Sequence, residues 1–270
     1  MRLSLLLWLL GIVTAFRRQS AWIKGRLLCG TEPASQVLVK LFDQDDGPDP
    51  DDLLQSGYTD DDGYFELKGD TVELTNIDPE VRIYHTCSMN IPLCKREWVI
   101  GIPDKYITFD RVPEYVFDLG VVNLEVELED ESRDLTALTT TSAIIPEQFT
   151  GVQSYRVKGH LLCGTEPAKN VRVKLVDDDF GPDPDDDLEN GYTDNDGYFD
   201  LSGDTREVTT IDVHLKIYHD CNDLLPCQRR WKFELPNSYI TKGPIPTKVL
   251  DIGTWNLEAK MPGESHDCIH

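Results

Sequence analysis

The chain is written twice. Lys24-Gly25-Arg26-Leu27-Leu28-Cys29-Gly30-Thr31-Glu32-Pro33-Ala34 recurs as Lys158-Gly159-His160-Leu161-Leu162-Cys163-Gly164-Thr165-Glu166-Pro167-Ala168. The same offset carries Gly47-Pro48-Asp49-Pro50-Asp51-Asp52 onto Gly181-Pro182-Asp183-Pro184-Asp185-Asp186, and Gly57-Tyr58-Thr59-Asp60 onto Gly191-Tyr192-Thr193-Asp194. Ile83-Tyr84-His85 returns as Ile217-Tyr218-His219. After a one-residue deletion, Asp118-Leu119-Gly120 returns as Asp251-Ile252-Gly253. A unit of this length can bury its own core, so the pattern is the duplication of a whole domain and not a solenoid. The domains are expected at 22–128 and 153–270. Between them, 129–152 reads as an exposed linker, acidic at Glu129-Asp130-Glu131 and then rich in Thr at Thr136, Thr139, Thr140 and Thr141.

Within each copy the apolar period is two. Val171, Val173 and Leu175 alternate with Arg172 and Lys174; Trp231, Phe233 and Leu235 alternate with Lys232 and Glu234. The first copy shows Val37, Val39 and Leu41, then Val81 and Ile83, then Trp98 and Ile100. Such runs suit strands with one buried face. Asp62-Gly63 and Asp196-Gly197 are tight-turn dipeptides between them. No stretch of a dozen residues carries capped helical spacing. The fold class expected is all-β, two tandem sandwiches.

Residues 1–15 have a charged start, an apolar centre and a small-residue exit at Val13-Thr14-Ala15, the plan of a cleaved secretory signal. That apolar run falls short of the roughly 20 residues a membrane span needs, and no later stretch is long enough, so the mature chain is expected to be extracellular with no transmembrane segment. The net charge of −23 argues against a nucleic-acid partner, whose phosphates demand a basic face. It leaves cations, basic partners or a cation-bridged acidic ligand. No Asn-x-Ser/Thr sequon occurs.

Gly-x-Leu-Leu-Cys-Gly, Gly-Pro-Asp-Pro-Asp-Asp, Gly-Tyr-Thr-Asp-x-Asp-Gly-Tyr-Phe, Ile-Tyr-His-x-Cys and Asp-[Leu/Ile]-Gly-x-x-Asn-Leu, in this order and twice over, resemble the transthyretin-like family of nematodes. The resemblance covers about 24–128 and 156–270. It implies an immunoglobulin-like sandwich of the transthyretin type, secretion, and extracellular binding or signalling, including the bridging of exposed phosphatidylserine to an engulfment receptor. Hydrolases of 5-hydroxyisourate share this sandwich and depend on a Tyr-Arg-Gly-Ser terminus. Here the last strand runs into Asn256-Leu257-Glu258-Ala259-Lys260-Met261-Pro262-Gly263, and that tetrapeptide is absent. Only His85 and His219 are shared between the copies, and a histidine without a recurrent base or nucleophile is a poor catalyst. A non-enzymatic protein is therefore expected. The leading reading is a bivalent adaptor for an extracellular protein or a cell-surface phospholipid; a carrier of a small hydrophobic ligand is the alternative.

Seven cysteines behind a secretory signal read as disulfides. Short loops favour Cys87–Cys94 and Cys221–Cys227, and Cys163–Cys268 would tie the first strand of copy two to its tail. Cys29 is then left unpaired, either a buried thiol or the bridge of a covalent dimer. The densest charge lies at Asp43, Asp45, Asp49 and Asp51, and again at Asp177, Asp179, Asp183 and Asp185. Oxygen-rich loops of this kind suit calcium, although the spacing is not that of an EF-hand. The competing reading is a solvated loop stiffened by its prolines. No other cofactor is expected.

Overall fold

The computed structural model describes residues 16–45, 50–89, 95–134, 150–178 and 186–268. It is almost entirely strand, with helix limited to short 3-10 turns at Asp104–Tyr106 and Asn237–Tyr239 among those residues. Copy one contributes β1 (Arg17–Cys29), β2 (Glu32–Pro33), β3 (Leu38–Asp43), β4 (Asp52–Tyr58) and β5 (Tyr64–Glu73). It continues with β6 (Pro79–His85), β7 (Lys95–Gly101), β8 (Phe117–Asn123), β9 (Glu127–Leu128) and β10 (Ser132–Asp134). Copy two contributes β11 (Gly151–Cys163), β12 (Glu166–Pro167), β13 (Arg172–Asp177), β14 (Asp186–Tyr192) and β15 (Tyr198–Glu207). It ends with β16 (Val213–His219), β17 (Gln228–Glu234), β18 (Thr241–Lys242), β19 (Leu250–Asn256) and β20 (Ser265–Asp267).

Each copy is a two-sheet sandwich. The alternation read from the sequence is the burial pattern observed at Val39, Leu41, Val81, Ile83, Trp98, Ile100, Val173 and Leu175, all fully buried, whereas β16 around Leu215 and Ile217 is buried at every position. The outer sheets run β4-β3-β6-β7-β10 and β14-β13-β16-β17-β20. The inner sheets do not stay separate. β8 pairs antiparallel with β19 through Val122↔Gly253, Val121↔Thr254 and Gly120↔Trp255. One sheet therefore crosses both copies, with β1 parallel to β8 on one flank and β11 parallel to β19 on the other.

These pairs are related by a local two-fold between Val121 and Thr254, and two sets of side-chain hydrogen bonds at the junction come in mated pairs. Asn123 Nδ2 donates to the Asp251 carbonyl at 2.8 Å, and Asn256 Nδ2 to the Asp118 carbonyl at 2.9 Å. The Tyr106 hydroxyl donates to Glu258 at 2.5 Å, and the Tyr239 hydroxyl to Glu125 at 2.6 Å. β9 reaches across to pair with β17 of copy two, and Lys260 reaches back to pair with Gly101. The recurrent Asp-[Leu/Ile]-Gly-x-x-Asn-Leu motif is thus the junction itself. Its glycines are required: Gly120 and Gly253 have φ of +103° and +84°, and a Cβ would lie 2.2 Å from the Thr254 carbonyl oxygen or 2.0 Å from that of Val121.

Buried side chains of both copies form one continuous cluster. At its centre the Trp255 ring lies 5.7 Å from Trp98 of copy one, and 6.3 Å and 5.0 Å from Trp231 and Phe233. A core that cannot be divided between the copies should unfold as one. Differential scanning calorimetry is expected to show a single transition whose van't Hoff and calorimetric enthalpies agree, and two resolved transitions would mean that the junction opens first.

Three expectations are corrected. The disulfides are Cys29–Cys87, Cys163–Cys221 and Cys227–Cys268, so none of the pairings favoured by short loops forms. Cys29 and Cys163 end the first strand of each inner sheet. Each bonds the cysteine just past β6 or β16 of the outer sheet, with Cα atoms 5.7 Å apart, so the bridge ties sheet to sheet. Cys29 is paired and cannot link two chains; Cys94 lies outside the described residues. The linker is shorter than 129–152: the Glu131 side chain is buried against Arg96 of copy one, β10 extends its outer sheet, and β11 starts at Gly151. The first domain also starts earlier than residue 22, because β1 begins at Arg17 and pairs with β5 from there. Residues 1–15, read as a signal, lie outside the described residues.

Candidate functional site: twin clefts and an acidic pocket

On the outward face of the shared sheet, side chains that alternate away from the core line two clefts, one per copy, that meet at Val121 and Thr254 on the two-fold. The first, of about 680 Å³, has Gly25 and Gly120 in its lining with Lys24, Arg26, Tyr64 and Glu66 around them. Exposed Tyr64 supports the Arg26 guanidinium 5.0 Å above its ring, and Arg26 Nε donates to the Asp62 carbonyl at 2.8 Å. Lys24 pairs with Asp118 at 3.2 Å. The second cleft, of about 620 Å³, repeats the plan, with Lys158 on Asp251 at 3.2 Å and exposed Tyr198 in the place of Tyr64.

The largest chemical difference lies at one position. His160 stands where the first cleft has Arg26, stacked on Tyr198 at 4.2 Å with its planes 14° apart. Its Nε2 lies 2.9 Å from the Asp196 carbonyl, which can only accept, so Nε2 carries the proton. Nδ1 lies 3.3 Å from the Thr254 hydroxyl. The first cleft holds a guanidinium on its tyrosine; the second holds an imidazole.

The acidic loops are built into the sandwich ends. Asp43 is 1% exposed, and its Oδ1 accepts the Asp78 backbone N–H at 2.8 Å. Asp177 repeats this with the Asp212 N–H at 2.6 Å. Carboxylate oxygens of Asp43, Asp45 and Glu73 lie within 4.8 Å of one another. Asp51 instead pairs with Arg82, whose hydrogen bond holds its carboxyl below the usual range. Asp49, Asp179, Asp183 and Asp185 lie outside the described residues. Glu73, at the end of β5 and thirty residues after Asp43, carried no sequence signal.

The model of the transthyretin-like family matches this chain twice, over residues 24–103 and 158–236. The chain belongs to the transthyretin-like family. Transthyretin-like protein 46 of Caenorhabditis elegans is 49% identical over 132 residues, which is 48% of this chain and 74% of that one. Transthyretin-like protein 33 of the same organism is 52% identical over 119 residues, 44% of this chain and 83% of that one. Transthyretin-like protein 2 is 38% identical over 143 residues, 50% of this chain and 97% of that one. Each alignment spans about one copy.

In this transthyretin-like pair the recurrent histidines are remote from the clefts. His85 and His219 are 3% and 2% exposed, and neither ring nitrogen of either has a hydrogen-bond partner among the described residues. Each ring meets a tryptophan edge-on, Trp98 at 5.2 Å and Trp231 at 5.1 Å. Burial, reinforced by the charges of Arg96 and Arg229, pushes both imidazoles down to about 3. They are neutral packing groups.

The residues that sequence reasoning missed are Arg96 and Arg229. Each lies buried beside its histidine's strand and spends all five donors. Arg96 gives two to Glu131, at 2.5 and 2.6 Å, and three to the carbonyls of Cys87, Leu124 and Val126. Arg229 does the same with Glu264, Cys221, Leu257 and Ala259. These arginines clasp the segments that reach across the two-fold.

Proposed function

We propose that this protein is a secreted, non-enzymatic adaptor that engages a cell-surface ligand through its two clefts. The observation that carries the reading is the pair of clefts, open on one sheet face and held at a fixed separation by the β8–β19 junction. Secretion is supported by three disulfides and by the signal-like residues 1–15. Among the described residues no helix is long and apolar enough to cross a membrane. A binding role in place of catalysis is supported by the burial of His85 and His219 away from the clefts.

Two sites on a rigid frame engage a multivalent surface with avidity, the second contact being intramolecular. With Tyr64→Ala or Tyr198→Ala alone, capture on vesicles containing phosphatidylserine is expected to weaken about tenfold, and with both about a hundredfold or more. Vesicles of phosphatidylcholine alone are the control. Binding that is unchanged in the double variant would overturn the reading, and loss of binding to vesicles with retained capture by an extracellular receptor would move the partner from lipid to protein. A carrier of small apolar ligands is the second reading, favoured by cleft volumes that fall within the usual range for such ligands. Native mass spectrometry of protein purified from its secreting host would then show a retained small molecule.

A further inference from the structure

We infer that Asp43, Asp45 and Glu73 form a calcium site at the end of the first sandwich. Asp43 is the key group. One of its oxygens accepts the Asp78 N–H; the other, Oδ2, is buried with no hydrogen-bond partner among the described residues. A carboxylate oxygen withdrawn from water and left without a donor costs the protein stability unless a proton or a cation occupies it. Among the described residues neither Asp43 nor Glu73 is ion-paired to a lysine, arginine or histidine. Arg17, opposite Glu73 in register, carries its guanidinium over the Phe109 ring, 5.5 Å from its centre. Burial pushes the Asp43 carboxyl up to about 6, and the neighbouring charges of Asp45, Glu73 and Asp78 push the same way. All of that repulsion is what a divalent cation would remove.

The geometry suits calcium in particular. Calcium–oxygen bonds of about 2.4 Å place any two ligands of one ion no more than about 4.8 Å apart. The three carboxylates meet that limit. Three hard oxygens with no nitrogen or sulfur favour calcium over zinc or copper, and the half-buried edge formed by Asp45 and Glu73 leaves room for water to complete the shell. Copy two repeats the residue types as Asp177, Asp179 and Glu207, with Asp177 fixed by the Asp212 N–H as Asp43 is by that of Asp78. The site lies outside both clefts and does not depend on the adaptor reading.

The test titrates calcium chloride into the full chain by calorimetry in chelator-treated buffer, on an Asp177→Asn background that silences the second copy. A saturable heat with Kd of about 0.1–1 mM is expected, the range of extracellular calcium modules. Asp43→Asn keeps the shape and the oxygen that meets Asp78, and is expected to weaken binding at least tenfold. Glu73→Gln, at a half-exposed strand end where folding is safe, should do the same. Absence of saturable heat up to several millimolar, or an isotherm unchanged by both substitutions, would overturn the site.

Discussion

Arg96→Ala is expected to destabilise the protein by about 3–5 kcal/mol. The loss is not that of one ion pair. Glu131, itself 5% exposed at its side chain, would keep a buried charge with only the Trp98 Nε1–H, 2.9 Å away, to answer it. Three buried carbonyls would lose their donor at the same time. Arg96→Lys should rescue little, because an ammonium cannot present two parallel donors to Glu131 and still reach three carbonyls. Removing the charge from both partners, as Arg96→Met with Glu131→Leu, should cost much less than Arg96→Ala. Urea unfolding midpoints of the four proteins check this ordering; equal losses for Arg96→Ala and the double variant would show that the charge pairing is irrelevant.

Acid should weaken the fold through His85 and His219. Their native pKa of about 3 lies below the ordinary 6.5, so the unfolded chain takes up protons that the folded chain refuses. Stability contributed by the neutral rings is complete above pH 6.5 and is lost as pH falls toward 3. At pH 5 each ring accounts for about 2 kcal/mol and the pair for about 4 kcal/mol. Asp43, with its pKa raised, moves in the opposite direction, so the informative quantity is a difference. In calcium-free buffer, the fall in unfolding free energy from pH 7 to pH 5 should be about 4 kcal/mol smaller in His85→Leu/His219→Leu than in the parent. Parallel pH profiles for the two proteins would contradict the assignment.

The elements legible in the sequence were those governed by neighbours along the chain. Alternation at Val171-Arg172-Val173-Lys174-Leu175 reports a half-buried strand because successive side chains must face opposite ways, and the repeat announces two equivalent sandwiches. The disulfides failed the same kind of reasoning. Cys87 and Cys94 are close in sequence, so loop length favours them, but Cys87 is held across the sandwich from the end of β1, 58 residues away. Glu131 looked like linker because acidic runs are usually solvated, and only the placement of Arg96 explains its burial. In the acidic loops, Asp43 and Asp45 were visible by composition. Their neighbour Glu73 was not, since strand pairing alone brings β5 to that corner.

Covalent fusion changes what may sit on the symmetry axis. In an assembly of two identical chains, any residue beside the two-fold occurs twice, so a bulky ring there would collide with its own image and a small one would leave a hole on both sides. This chain escapes that restriction. Trp255 fills the centre while its counterpart is Val122; Phe233 has Ile100 as its counterpart and Tyr155 has Ala21, all buried. Large on one side and small on the other, the halves fit as unlike partners, and with their encounter guaranteed at any dilution, each surface is free to specialise, as Arg26 and His160 have already begun to do.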